Sequence, residues 1–369
     1  MGHIFGARSG RAWLTVAGAA AGLCALAVPA AAASGVTPAS TPQWRVAKTV
    51  KTDSSGQFTA LAVTGKTTAW GFEGLGLTSP ATAWHENGGT WNRVAFPSKP
   101  DEEVVAAGAD SPKDVWAFTT NFSGGSRVLR WNGSAWSVVK TFPDQIADAT
   151  VVSGTDVWVY GETGAPGLPA LGIWFYNGSR WTRVSKTFAG GSALSDKDVW
   201  GFNGTSVEHW TGTHWTATSV QSLLPAKNPE GLNSPAVAGV LALSARNVYV
   251  LGSGNAEDEG GPLVVLHYNG STWSKVASGQ FGDGPAPQIA ADGSGGLWLP
   301  MDGSDGGTSY LVHYSGGKLT TAVLPVSAPK ITIDAVAQIP GTAQELAGGF
   351  THTAGNRGTG VAAIILRLR

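Results

Sequence analysis

The chain has 369 residues, a formal net charge of −1 and only 13% charged residues, while glycine (52) and tryptophan (16) are frequent. This composition is typical of many short strands joined by tight turns. No basic run or basic face is visible in the sequence, so nucleic acid is not expected as a partner.

The N-terminal residues have the pattern of a secretory signal peptide. Two arginines precede an unbroken apolar run from Ala12 to Val28, and small residues at 30–33 form an A-x-A cleavage site before Ser34. The run is rich in alanine and shorter than the roughly 20 residues that a membrane span needs. We therefore predict a signal peptide at residues 1–33, a mature chain with no transmembrane span, and a secreted, extracellular protein.

The only cysteine lies inside that segment, at position 24, so the mature chain has no disulfide and its stability must come from packing. Residues 34–42 contain two prolines and are predicted to be a flexible linker. Residues 43–50 then form one predicted strand whose partner does not lie next to it in the sequence.

The rest of the chain repeats one unit, which is clearest from Ser111 to Val139. A polar turn with an aspartate leads into a strand that carries a tryptophan, and an Asn-Gly turn later separates two further strands. An Ala/Gly/Val-rich segment precedes each unit, so we assign four strands, a to d, to each. The strand b position recurs at intervals of 46, 42, 42, 49, 49 and 48 residues, the period of a propeller blade. These positions are Trp70, Trp116, Trp158, Trp200, Tyr249, Trp298 and, degenerately, Leu346.

The seventh unit lacks its fourth strand, because the chain stops at Arg369 shortly after the third. The lone strand at 43–50 opens with a tryptophan, as strand d does at Trp91 and Trp181. We predict that it completes the last blade, which closes the ring and removes the free sheet edges of an open array. The predicted domain therefore spans residues 43–369.

The repeats Asp-Val-Trp and Asn-Gly-Ser-x-Trp resemble those of secreted bacterial seven-bladed β-propellers. The aromatic residue on strand c and the tryptophan on strand d are similar to kelch and galactose-oxidase-like propellers, and Ser195 to Trp215 resembles a tectonin lectin repeat. The resemblance implies an all-β, seven-bladed propeller with four antiparallel strands per blade. It implies little about activity, because one propeller fold serves many functions.

Two sets of recurring polar residues are interpreted as structural. Asp114, Asp156 and Asp198 occupy equivalent a–b turns, where an aspartate satisfies backbone amides. Four histidines share one strand c position that Arg130 and Phe175 also occupy, so they fall in separate blades and are not expected to converge on a metal. These histidines are His85, His209, His267 and His313.

Candidate binding residues lie on the opposite face, where the variable b–c and d–a loops meet. Six carboxylates fall in the loops of neighbouring blades, and their oxygen-rich character suits calcium, although a solvated acidic rim is the alternative. Trp84 and Trp174 lie outside the regular tryptophan positions and are the aromatic candidates. The apolar Leu223-Leu224-Pro225 either contacts a partner or covers the channel mouth. The six carboxylates are Glu257, Asp258, Glu259, Asp283, Asp302 and Asp305.

These features favour a monomeric, non-enzymatic module that binds an extracellular glycan or protein. A polysaccharide-acting hydrolase or lyase is the alternative, and it requires two carboxylates about 5 to 9.5 Å apart on the loop face. No cofactor is predicted, with calcium as the open case.

Overall fold

The structure is a computed structural model that describes residues 43–51, 56–74, 79–121, 124–161, 171–185, 190–226, 235–254, 262–281, 284–285, 288–302, 310–325, 330–352 and 360–369. The predicted signal peptide and linker lie outside these residues. Within them, no helix has the length and apolarity needed to cross a bilayer.

The described strands form seven antiparallel sheets, the blades of a β-propeller, and confirm the predicted fold. The first three blades are regular meanders of four strands. Blade 1 contains β2 (Gln57–Gly65), β3 (Thr68–Gly74), β4 (Thr82–Asn87) and β5 (Thr90–Val94); blade 2 contains β6 (Glu102–Ser111), β7 (Asp114–Asn121), β8 (Ser126–Trp131) and β9 (Trp136–Phe142); blade 3 contains β10 (Ile146–Ser153), β11 (Asp156–Gly161), β12 (Ile173–Tyr176) and β13 (Trp181–Ser185).

The next three blades continue the ring, and a 3₁₀ helix, Gln221–Leu223, follows blade 4. Strand a of blade 6 is split into two short pieces that both pair with strand b. Blade 4 contains β14 (Gly190–Ser195), β15 (Asp198–Asn203), β16 (Ser206–Trp210) and β17 (Trp215–Ser219); blade 5 contains β18 (Ala236–Ser244), β19 (Asn247–Ser253), β20 (Pro262–Tyr268) and β21 (Trp273–Gln280); blade 6 contains β22 (Gly284–Pro285), β23 (Ala290–Ala291), β24 (Leu297–Asp302), β25 (Tyr310–Ser315) and β26 (Lys318–Thr321).

Blade 7 joins the two ends of the described chain. It contains β27 (Lys330–Gln338), β28 (Glu345–His352), β29 (Gly360–Leu368) and, as its outer strand, β1 (Trp44–Lys51). β1 pairs antiparallel with β29, and Gln43 and Arg369 exchange backbone hydrogen bonds of 2.8 and 3.1 Å. The N-terminal strand therefore closes the ring as the sequence predicted.

Seven clusters of buried apolar residues lie between adjacent blades. In each, the strand b residue of one blade packs with the strand d residue of the next: Trp70 with Trp136, for example, at a ring-centroid distance of 5.1 Å. The closing strand extends this pattern, since Trp44 meets Trp298 edge-on at 5.3 Å. Large indoles bury more apolar area than other side chains, so they supply most of the adhesion between sheets.

The Asn-Gly-Ser turns have a defined structure. Four residues, 132–135, join β8 to β9, and the Asn132 side-chain oxygen accepts the N–H groups of Ser134 (2.9 Å) and Ala135 (3.0 Å). Gly133 has a φ of 94°, a left-handed conformation that favours glycine. The same bonds recur at Asn177 and Asn269, so these asparagines serve turn formation.

Replacing Trp44 by alanine tests ring closure. Trp44 is 5% exposed and contacts Trp298, so its loss leaves a cavity at the last interface formed. We expect a loss of about 3–5 kcal/mol in the free energy of unfolding, measured by urea denaturation. Arg45→Ala, an exposed change on the same strand, is the control and should cost less than about 0.5 kcal/mol. Equal midpoints for the two variants would contradict closure by β1.

Candidate functional site

The recurring aspartates and histidines form structural sets on the face of the a–b turns. Asp198 accepts the indole N–H of Trp200 (3.0 Å) and lies 2.9 Å from His209 Nε2, while the His209 ring stacks on Trp200 at 3.9 Å. His85 and His313 stack in the same way on the strand b tryptophans of their own blades, and His267 lies against Tyr249 with its ring tilted by 33°. The described residues contain no group of three or more side chains that could hold a metal ion.

The aspartates of these turns bind side chains, and Asp156 also accepts the backbone N–H of Asp196 in the next blade. In the described part of the chain they do not bind the amides of their own turns, which differs from the expectation. Asp114 makes two hydrogen bonds of 2.7 Å to the Arg130 guanidinium, and Asp156 accepts the indole N–H of Trp158 at 2.8 Å. A serine three residues earlier accepts the turn's backbone N–H instead, as Ser111 does from Lys113.

The innermost strands of all seven blades line a central cavity of about 210 Å³. Its lining is mostly Ala, Val, Leu and Ile, as predicted for strand a. The Gln288 amide crosses from blade 6 and donates to the carbonyls of Thr59 (3.1 Å) and Val105 (3.2 Å) in blades 1 and 2. The cavity is smaller than the roughly 300–1,000 Å³ of ordinary ligand pockets, and Gln288 narrows it further.

Among the described residues that line this cavity, Asp148 is the one with an ionisable side chain. Its carboxylate is enclosed by the blades, and this burial raises its pKa to about 7, against the opposing effect of the N–H groups of Ala149 and Gly191. The cavity offers no second carboxylate for paired acid–base catalysis among its described residues.

The loop-face carboxylates fall outside the part of the chain that the structure describes. Glu257, Asp258, Glu259, Asp283 and Asp305 lie outside the described residues, and so does the side chain of Asp302, the last residue of β24. The acidic face and its calcium therefore stay predictions.

The structure describes the apolar insert after blade 4 as far as residue 226. Leu224 is 6% exposed, and it packs with Val237 and Val264 between blades 4 and 5. Leu223 is partly buried against the same cluster. Leu224 and, in part, Leu223 therefore belong to the interblade packing. Residues 227–234 of the insert lie outside the described residues, so its cover of the channel mouth stays a prediction.

Trp84 and Trp174 occupy equivalent places at two interblade grooves on the outer part of the ring. Each is partly buried on strand c. The Trp84 indole N–H donates to the buried Glu73 carboxylate (2.8 Å), and that of Trp174 donates to the Leu171 carbonyl (3.1 Å). These bonds fix the orientation of each indole.

A lysine from the preceding blade lies over each indole. Lys48 Nζ is 4.2 Å from the Trp84 ring centroid, and Lys140 Nζ is 5.4 Å from that of Trp174. Distances of this size allow a cation–π contact. Both tryptophans therefore contribute to blade packing and also line a groove that carries positive charge.

Glu345, the first residue of β28, has a fully buried carboxyl group. It immediately precedes Leu346, the strand b residue of blade 7, and so has the place of Val199 in blade 4, while Arg367 holds the strand c position of His209. Neither carboxyl oxygen has a hydrogen-bond partner among the described residues. Burial, and then the negative charge of Asp292, raise its pKa to about 9.

No protein-family model matches the chain, and no curated protein matches it. Solved propellers are similar in fold. They include YCF48 bound to D1 peptide (12% identity, TM-score 0.55, covering 88% of this chain and 96% of that chain). YCF48 from Cyanidioschyzon merolae aligns at 14% identity and a TM-score of 0.56, covering 89% and 99%, and the RRP9 WD40 repeats at 13% and 0.56, covering 89% and 98%. The structural similarity establishes a seven-bladed fold with WD40-like structural neighbours. At identities this low it establishes the fold alone.

Replacing Glu345 by glutamine tests the pH dependence of stability. A carboxyl whose pKa rises from its ordinary 4.5 to about 9 on folding is protonated in the folded protein and ionises on unfolding. The wild type should therefore lose stability as pH rises from about 4.5 to 9, by at most about 1.4 kcal/mol per pH unit, and Glu345→Gln should lack this loss. Melting at pH 5 and pH 8 measures it, with exposed Asp196→Asn as control. Equal pH dependence in wild type and Glu345→Gln would contradict the assignment.

Proposed function

We propose that the protein is a secreted, non-catalytic propeller that binds an extracellular glycan or protein. The observation that carries the proposal is that two of the recurring aspartates of the a–b turns are engaged in structural pairs with strand c side chains of their own blades. Asp198 is engaged with His209, and Asp114 with Arg130. Such a frame supports binding by its loops and outer surface, which are free to vary without loss of the ring.

The narrow central cavity also supports a binding role at the periphery. At about 210 Å³, lined by one carboxylate and crossed by Gln288, it is poorly suited to hold a sugar ring between two catalytic acids. A propeller of similar fold, YCF48, has been solved bound to a peptide, so this architecture is compatible with a protein ligand. We further propose that the repeats are of the kelch- or tectonin-like bacterial type suggested by the sequence.

A binding panel tests this function. The protein should bind at least one member of a set of soluble glycans, insoluble polysaccharides and extracellular proteins, without shortening the glycan. If the loop-face acids hold calcium, chelation and Asp302→Ala should each weaken binding at least about tenfold, because both remove cation ligation. Asp110→Ala, an exposed acid on the other face, is the matched control.

Release of shorter oligosaccharides from any glycan would contradict the non-catalytic role and favour the hydrolase or lyase alternative. Binding that survives both chelation and Asp302→Ala would remove calcium and the acidic face from the proposal, but not the binding function itself.

A further inference from the structure

The outer strands of the propeller carry positive charge only. Strand d of the seven blades contains eight basic residues and no Asp or Glu over the described ranges. The basic residues are Arg45, Lys48, Lys51, Arg93, Lys140, Arg183, Lys275 and Lys318. The sequence shows no basic run because these residues lie on strands separated by about one blade period. The fold brings them together on the outer surface of the ring.

Edge protection explains only part of this pattern. Lysines on exposed edge strands prevent sheets of different molecules from pairing, and acidic residues serve that purpose as well. Avoidance of edge pairing therefore does not account for the absence of acids. It also does not account for the placement of six of the eight basic residues on blades 7, 1, 2 and 3, the blades that form the two tryptophan grooves.

The two grooves repeat one arrangement of three side chains. Arg93 pairs across the sheet with Trp84, and Arg183 pairs in the same way with Trp174, so each arginine lies on the same sheet face as its tryptophan. Lys48 and Lys140 complete the sets from the preceding blades.

The same backbone irregularity, a shift in strand register, precedes each of the two lysines. The outer strand has a register shift immediately before Lys48, between Val46 and Lys48, and another between Val138 and Lys140. Such β-bulges redirect the side chain that follows them. The groove between blades 7 and 1 and the groove between blades 2 and 3 are therefore two copies of one Lys–Trp–Arg set.

Other described blades lack this set. The strand c position of Trp84 and Trp174 is the one before the stacked histidine or its substitute, and there the other five blades have a different residue: Leu129, Glu208, Leu266, Val312 and Leu366. Blade 4 also has no basic residue on its outer strand, WTATS. The repeated set is thus a local feature of two grooves and not a general property of the blade.

We propose that these two Lys–Trp–Arg grooves bind an anionic polysaccharide, with sugar carboxylates or sulfates as the recognised groups. This inference rests on the proposed binding function and names its ligand class. Each arginine is exposed, and the planar guanidinium group has paired N–H groups whose geometry matches a carboxylate or sulfate, while the lysine adds a point charge. The partly buried indole offers an apolar surface for the ring of the same sugar unit.

The number of grooves favours a polymer over a single sugar. Two equivalent grooves separated by one blade interface let a repeating chain bind both, and the second contact is then intramolecular and strengthens the first. Each Lys–Trp–Arg set contains one partly buried indole, and the Phe142 ring beside Trp174 is fully buried. Single-stranded nucleic acid is instead bound by a series of aromatic platforms that stack successive bases. The arrangement therefore fits a charged glycan better than a nucleic acid.

The experiment measures binding of the full protein to immobilised polygalacturonate and dextran sulfate, with neutral dextran and single-stranded oligo-dT as comparison probes. We expect binding to at least one anionic glycan that weakens with salt, and none to neutral dextran. Arg93→Gln combined with Arg183→Gln should weaken it at least about tenfold, because each change removes a charge-assisted pair of hydrogen bonds. The two glycans distinguish carboxylate from sulfate recognition.

The matched control is Lys275→Gln combined with Lys318→Gln, which removes the same charge from outer strands of blades 5 and 6. It should weaken binding less than about twofold. Trp84→Phe with Trp174→Phe, a change that keeps an aromatic ring in each groove, should weaken binding severalfold with a folded circular-dichroism spectrum.

Equal weakening by the arginine pair and the lysine pair would overturn the proposal, because it would indicate general attraction to polyanions. Binding of oligo-dT as tight as that of the glycans would also overturn it and favour a nucleic acid ligand. Binding to no anionic glycan, together with a ligand found in the panel of the preceding subsection, would remove the two grooves as a site and leave the binding function standing. Failure of both experiments would remove the function as well.

Discussion

The packing of one large apolar side chain from strand b against another from strand d of the next blade is the interaction on which the whole ring depends. Each sheet presents two apolar faces and cannot bury them alone, so every blade needs both neighbours. The contact of Trp44 with Trp298 is an example, since Trp44 belongs to the first described strand and Trp298 to the sixth blade. Without β1, the last blade would have no outer strand and blade 6 no partner for its indole.

A second layer of polar contacts fixes the orientation of these aromatic rings. Where the turn residue is aspartate and strand c carries histidine or arginine, the indole is held on one side by a stacked ring or guanidinium, as in Trp200 with His209 and Trp116 with Arg130. Blade 7 has Leu346 in place of the indole, and its strand c cation, Arg367, binds Glu86 of blade 1 instead. The degenerate repeat also buries Glu345 without a hydrogen bond among the described residues, which costs stability.

The rigidity of the ring determines where function can reside. The centre is narrow and is crossed by the Gln288 side chain, which binds carbonyls of two other blades. The face of the a–b turns is occupied by structural hydrogen bonds. The periphery differs, because outer strands make contacts on one edge only and their side chains are mostly exposed. Substitutions there change the surface charge without disturbing the cores between blades, which is why charge can accumulate on it.

The sequence by itself determined the fold, the blade number and the closing strand, because these depend on local alternation, turn residues and a fixed period that are written in consecutive residues. It also identified the histidine position as structural, since residues one blade apart cannot converge. Two conclusions, about the burial of one residue and the neighbours of another, needed the tertiary structure. Leu224 changed from a candidate contact to a buried residue once blade 5 was placed beside it. Trp84 has Lys48 as a neighbour in the folded protein, although the two belong to different blades. The basic residues around the outside of the ring likewise come from strands that are far apart in the chain. Burial and charge density depend on which strands the fold brings together, and no local pattern of residues contains that information.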